Sequence, residues 1–423
     1  MTRNGAPGIV PALVFGNGLT ALGVTRILRA AGVAAYVVSD SPDLVSQSRW
    51  YQPAPASSNG ASPEDDLAAY LEGLPIPRAV LIPCSDSWAV RLAALNGAIT
   101  ERFPTCVPPP SAIEQLVDKG SLAEALRAAD VPHPRTILLE TAADIAAIPA
   151  DAMSHAFLKA HDSQRFFRRF GHKGFWVHSH EEAAQRWHEA RREGHSLLFQ
   201  EYIPGPASNH YHLDGFIDKS GRAAAMFARR RLRMYPLDFG NNTLTVSVPL
   251  HEVADAHESL CRLLDQVGYR GIFSAEFKRD QRTGRFALIE VNVRPYWYVE
   301  FTARCGVDIV VMAYREALGL PVEPVTSYRV GRRCVYLYYD YHAYSALRQS
   351  GHITLGAWTR SLLGAWQPLF RWNDPNPAWD EFRTIAQRCG QRAAARALNW
   401  ADPAPAFREL YAILRNAIQR TAV

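Results

Sequence analysis

The run Ile289-Glu290-Val291-Asn292-Val293-Arg294-Pro295 sets a carboxylate, a carboxamide and a guanidinium at every second position. Successive side chains of a strand point to opposite faces. The spacing therefore predicts a strand with Glu290, Asn292 and Arg294 on one face and Ile289, Val291 and Val293 in a core. Upstream, Gly271-Ile272-Phe273-Ser274-Ala275-Glu276-Phe277-Lys278 is a second strand-like run, joined to the first by Asp280-Gln281-Arg282-Thr283-Gly284. The two read as a hairpin that brings Glu276 beside Glu290. Two carboxylates and a carboxamide at one spot repel unless a cation sits among them. Such a set suits a magnesium-held polyphosphate, and the guanidinium that follows suits an anionic partner. Taken alone, the Ile289–Pro295 run also fits an ordinary amphipathic strand with a polar outer face.

A chain of 423 residues predicts two or three domains, and 48% hydrophobic with 21% charged residues fits a soluble globular protein. No apolar stretch is long enough to cross a bilayer, and no charged start leads into a signal-peptide hydrophobic region. The six cysteines are scattered without metal-type spacing, as expected of reduced structural thiols in a cytoplasmic protein. A net charge of +5 gives little support to a nucleic-acid partner. Of the 46 basic residues five are lysines (Lys119, Lys159, Lys173, Lys219, Lys278), leaving 46 − 5 = 41 arginines. Where arginine carries nearly all generic positive charge, a lysine marks a place where a compact ammonium is useful.

Along the chain, β and α signals first alternate. Ala12–Phe15, Val33–Val38 and Ala79–Ile82 read as strands, with Gly16-Asn17-Gly18, Ser39-Asp40 and Ser85-Asp86 at their C-terminal ends. This predicts a parallel sheet that receives ligands at the strands' carboxyl ends, and makes Asp86 a candidate substrate contact. After Pro108-Pro109-Pro110 come helices at Ser111–Val117 and from Asp118-Lys119, then a strand at Arg135–Leu139. Residues 155–203 read as a separable unit of strand, loop, strand, helix and strand, closed by Pro204-Gly205. Long strands follow at Tyr211–Ile217, Ala223–Arg231 and Thr243–Val248, with helices at about 252–267 and 301–318. The segment after Pro321 is rich in Tyr, Trp and Arg. Its aromatics fit a pocket for a bulky or lipid-like acceptor, a membrane-facing surface, or plain packing, and packing is preferred.

Gly16-Asn17-Gly18-Leu19-Thr20-Ala21 satisfies the G-x-G-x-x-G/A pattern after a strand, and Asp40 ends the next one, as in a nicotinamide-binding turn. Any tight turn near a ligand favours the same small residues, so a structural or substrate-facing turn is preferred. In Arg229-Arg230-Arg231-Leu232-Arg233, residues 229, 231 and 233 share a face. Arg231 and Arg233 are candidate anion contacts, and a solvated face is the alternative.

The order Asp118-Lys119, Phe157-Leu158-Lys159, Gln200-Glu201-Tyr202-Ile203-Pro204-Gly205, Glu276 and Glu290-Val291-Asn292-Val293-Arg294 resembles the ATP-grasp superfamily. Its carboxylate–amine (thiol) ligase branch, which holds carbamoyl-phosphate-synthase-like and D-aspartate-ligase-like enzymes, is the nearest. The similarity covers about residues 10–320. It implies an α/β protein: a parallel pre-ATP-grasp domain (1–110), an ATP-grasp domain of two α+β subdomains (111–320, lid about 155–203) and a mixed, largely helical C-terminal extension (321–423).

By the same resemblance Lys119 and Lys159 bind ATP phosphates. Gln200 meets the adenine amino group, and the backbones of Glu201 and Ile203 read the adenine edge. Glu276, Glu290 and Asn292 hold two Mg²⁺ ions, with Mn²⁺ as a substitute, and Arg294 steadies the transferred phosphoryl group or the carboxylate. The implied activity joins a small-molecule carboxylate to an amine through an acyl phosphate, leaving ADP and phosphate, in a chain compatible with a homodimer. A non-catalytic nucleotide-binding module is the reading from a different class, disfavoured by the intact carboxylate set. Two places depart from the family pattern. The phosphate loop His161–Gly171 carries aromatics and arginines instead of glycines, which puts Gln164, Arg165 or Arg168 in the lid's role. No acidic residue follows the hinge to grip ribose, which leaves Ser208 or Asn209.

Overall fold

The computed structural model describes residues 9–398 other than 40–42, 154–155, 161–165, 167–168, 171–173 and 238–239, with the backbone alone from 388 onward. Three short apolar strands open the chain: β1 (Ala12–Phe15), β2 (Ala35–Val38) and β3 (Val80–Pro83). They pair in parallel in the order β2-β1-β3. Both faces of this sheet are covered, which is why its strands are apolar throughout instead of alternating. Gly16 turns the chain out of β1 with φ 123°, and a Cβ there would lie 3.2 Å from that of Cys84, so the turn takes glycine.

The middle of the chain forms two antiparallel layers. Strands β4 (Thr136–Leu139), β5 (Ala156–Ala160), β6 (Gly174–Val177) and β7 (Leu197–Glu201) make a four-stranded sheet in the order β4-β7-β5-β6. The helix His180–Arg192 accompanies it, started by Ser179, whose hydroxyl accepts from the Glu182 N–H at 3.1 Å. Leu158, Phe166, Phe175, Trp187 and Phe199 give this unit a core of its own.

The larger layer holds β8 (His210–Ile217), β9 (Ala223–Tyr235), β10 (Asn241–Val248), β11 (Gly271–Arg279), β12 (Phe286–Asn292) and β13 (Arg333–Val335), in the order β12-β11-β8-β9-β10-β13. The segment after Pro321 thus supplies the edge strand of the central sheet. The helix expected over 301–318 is two helices, Val299–Arg304 and Ile309–Ala317. Gly306 (φ 107°) breaks the run, and Asp308 restarts it by accepting from the Val311 N–H at 3.1 Å.

The C-terminal segment is locked to the first domain by buried charge. Arg26, on the helix Gly18–Ala30, donates through Nε to Asp374 Oδ2 at 2.9 Å, and both side chains are fully buried. Asp374 also accepts from Ser48 Oγ and the Arg49 N–H, both at 2.8 Å, while Glu300 gathers Arg304 and Arg371. Most of the C-terminal aromatics pack as expected: Tyr344 stacks on Trp358 at 4.5 Å, and Trp366 on Phe301. Among the described residues no helix is long and apolar enough to cross a membrane, and five of the six cysteines are free thiols.

Replacing Asp374 by Ala leaves the buried Arg26 guanidinium with only the longer Glu300 contact at 3.5 Å, so a loss of about 3 kcal/mol is expected in denaturant unfolding. A loss under about 1 kcal/mol would show that the lock is not stabilising as described.

Candidate active site

The β11–β12 hairpin forms as the alternation predicts. Ser274 lies opposite Asn292 and Glu276 opposite Glu290, with an irregularity just beyond Glu276. On the next strand His212 faces Glu276, and on the one after it Arg229 faces His212. One polar face of the central sheet therefore collects two carboxylates, an amide, histidines and arginines from four adjacent strands.

Glu276 takes two donors on one oxygen: His210 Nδ1 at 2.7 Å and Arg231 Nη2 at 2.9 Å both reach Oε1. Burial works against its charge, but Arg231 and His210 outweigh that and hold the carboxyl well below the usual range. Glu290 makes no hydrogen bond or ion pair among the described residues. Asn292 Oδ1 accepts from Arg294 Nη2 at 3.0 Å, and Arg294 Nη2 also reaches Asp86 Oδ2 at 3.2 Å. Asp86, the first residue of the helix Asp86–Ala93, further accepts from the Val293 N–H at 3.4 Å. The parallel domain thus touches the site through Asp86, whose visible partner is Arg294. The Nε atoms of Arg231 and Arg294 and Nε2 of His212 are buried with no protein partner.

The alternate arginines of β9 share a face, and that face is buried instead of solvated. Each meets a carboxylate from a different element: Arg229 with Asp214 (2.7 Å), Arg231 with Glu276, and Arg233 with Asp340. Arg233 holds Asp340 through Nε (2.9 Å) and Nη2 (2.7 Å), and Asp340 also receives Thr243 Oγ1 and Trp358 Nε1. An anion would therefore meet an Arg233 already engaged by the C-terminal segment, which sequence spacing does not reveal.

In the smaller unit Lys119 Nζ donates to the Ala160 carbonyl at 2.7 Å, which brings it to the end of the strand that carries Lys159. Gln200 Nε2 meets Thr136 Oγ1 at 3.4 Å. The Glu201 N–H is taken by the Arg135 carbonyl, so that N–H is not open to an adenine edge. The Glu201 carboxylate receives Arg282 at 3.2 Å. Asn209 spends its amide N–H on the Arg279 carbonyl, keeping its oxygen available, while the Ser208 carbonyl accepts from Arg230. Lys278, buried on β11, lies 4.1 Å over the Tyr202 ring at the hinge, a contact absent from the sequence reading. Gln164, Arg165 and Arg168 lie outside the described residues, as does Asp40.

The glycine turn after β1 is filled from within: the Gly18 N–H, at the start of its helix, donates to Asp43 Oδ2. A carboxylate of the chain stands where a nicotinamide-binding turn would receive pyrophosphate, which favours a structural role for this turn.

The donor set fits a divalent ion. Among the described residues neither Glu276 Oε2 nor the Glu290 carboxylate accepts a side-chain hydrogen bond, and hard oxygen ligands are what magnesium takes. Asn292 Oδ1 completes the set once it shifts from Arg294. Among the described residues no group of three or more His, Cys, Asp or Glu is arranged for a metal.

No protein-family model matches the chain. A D-aspartate ligase of Enterococcus faecium is 23% identical over 232 residues, which make up 51% of this chain and 53% of that protein. The chain thus spans about half the length of the curated relative it matches. The N5-carboxyaminoimidazole ribonucleotide synthetase of Thermus thermophilus superposes with a TM-score of 0.58 at 17% identity, over 77% of this chain and 82% of that one. The biotin carboxylase domain of the Hydrogenobacter thermophilus 2-oxoglutarate carboxylase, solved with MgADP, ADP and bicarbonate, gives 0.55 at 18% identity, over 77% and 74%. At these identities the likeness shows a shared fold, in keeping with the α/β architecture expected from the sequence.

Burial, reinforced by Arg231 and only partly offset by Glu276, pushes His210 down to about 4. It is neutral in the folded protein at pH 6 but protonates in the unfolded chain below its ordinary value of 6.5. Stability should therefore be full above pH 6.5 and fall toward pH 4, by roughly 1 kcal/mol per pH unit from this residue. Urea unfolding of the parent and a His210→Asn variant at pH 7.5 and 5.5 checks this. The variant should lose less on acidification, and parallel losses would contradict the assignment.

Proposed function

We propose that this chain is an ATP-dependent ligase that activates a carboxylate as an acyl phosphate and joins it to an amine, giving an amide, ADP and phosphate. The observation that carries the reading is the register of Glu276 opposite Glu290, with Glu290 in no ion pair among the described residues. Glu276 Oε2, Glu290 and Asn292 are the residues that would hold Mg²⁺, in two ions or with Mn²⁺ in their place. When bound, the metal neutralises polyphosphate charge.

The carboxylate substrate attacks the γ-phosphorus and ADP leaves. The amine then attacks the acyl carbon, phosphate departs with the bonding electrons, and the amine's proton passes to solvent. Lys119 and Lys159 bind the phosphates as compact charges at the edge of the smaller sheet. Gln200, the Glu201 carbonyl and Ile203 recognise adenine. Arg231 and Arg294 each keep a buried, unpartnered Nε for the anionic groups. Arg233 stands behind them, oriented by Asp340, and Asp86 positions Arg294. The unit 155–203 excludes water from the acyl phosphate when it approaches the central sheet. The partners in this reading are small molecules, with a cytoplasmic location and a homodimer as its further parts.

ADP release screened over amino acids, small peptides and sugar acids, with product masses recorded, identifies the substrates. With the active pair in hand, Glu290→Gln should cut ADP release by at least about a thousandfold at an unchanged unfolding midpoint. A variant that keeps full activity would remove the metal assignment.

A further inference from the structure

The C-terminal segment keeps a surface that the ligase reading does not use. Among the described residues every exposed tryptophan and phenylalanine lies within 370–382: Phe370, Trp372 (84% exposed), Trp379 (57%) and Phe382 (47%). Leu363, 69% exposed, lies just before them. On the helix Asn376–Leu398 the side chains of Trp379, Phe382 and Ala386 are exposed, whereas Pro377 is buried and Ala378 packs on the core. Spacings of three and four residues put Trp379, Phe382 and Ala386 on one outward face.

The described part of this segment is basic too: residues 321–387 hold seven arginines, no lysine and five acidic residues. Of the acids near the aromatic face, Asp374 is spent on Arg26 and Glu381 on the Tyr336 hydroxyl at 2.8 Å, while Asp380 stays partly exposed. Arg360 and Arg383 are exposed, and Arg383 is only loosely joined to Asp380 at 3.6 Å.

We propose that this face docks the protein onto an anionic lipid surface. Tryptophan and phenylalanine beside outward arginines match a headgroup boundary, where rings enter the apolar edge and guanidiniums meet phosphates. A second copy is the weaker occupant, because a two-fold contact would set the basic face against itself. Single-stranded nucleic acid can stack on the same rings, and the test below separates it from lipid. The inference stands apart from the ligase reading, and its test needs no substrate.

The test is sedimentation of the full chain with vesicles of equal parts phosphatidylcholine and phosphatidylglycerol, beside vesicles of phosphatidylcholine alone. The chain should sediment with the mixed vesicles, with a blue shift of tryptophan emission, and less so as salt rises. Combining Trp372→Ser, Trp379→Ser and Phe382→Ser should lower the partition by at least about tenfold with no change in unfolding midpoint. The inference is overturned if the parent stays in the supernatant, or if the variant sediments equally. It is also overturned if the substitutions instead dissolve a dimer, or if the chain is retained on single-stranded RNA but not on vesicles.

Discussion

Two carboxylates lie opposite each other across neighbouring strands, and buried ion pairs surround one of them. The β11–β12 pairing sets Glu276 against Glu290. At cross-strand distance like charges destabilise a sheet unless something neutralises them. The protein supplies half of the neutralisation, by bringing Arg231 and His210 to one oxygen of Glu276. Among the described residues Glu290 makes no ion pair, and a divalent ion is its proposed counter-charge.

The same accounting of charge runs through the rest of the polar face. Three arginines at alternate positions of β9 each meet a carboxylate from a different part of the chain, Asp214, Glu276 and Asp340. Burying a guanidinium is tolerable only with such a partner. The last pair and the Arg26–Asp374 contact tie the C-terminal segment to the central sheet and to the first domain. That segment is therefore part of the framework that orients the site, and its outward aromatic face is what remains of it for other work.

Much of this was legible in the sequence where the signal was local. Period-two alternation located β11, β12 and β9, and a Gly-containing connector gave the hairpin and hence the meeting of Glu276 and Glu290. Lys119 was legible because Asp118 caps the helix it begins, accepting from the Ser121 N–H. Gly306 and the capping Asp308 would have divided the helix near 305, had their stop and start signals been weighed above apolar periodicity. Long-range partners were not legible: 107 residues separate Arg233 from Asp340, and 348 separate Arg26 from Asp374. No spacing rule connects such pairs, because the fold alone brings them together. For the same reason a run of arginines, solvated in most chains, here lies buried in paired form.

The central claim is that the paired carboxylates receive a nucleotide triphosphate through a divalent ion. Calorimetric titration of the full chain with a non-hydrolysable ATP analogue, once with magnesium and once with a chelator, tests it most directly. The account expects clear binding with magnesium and an affinity at least about tenfold weaker without it. Equal affinity under both conditions would contradict it.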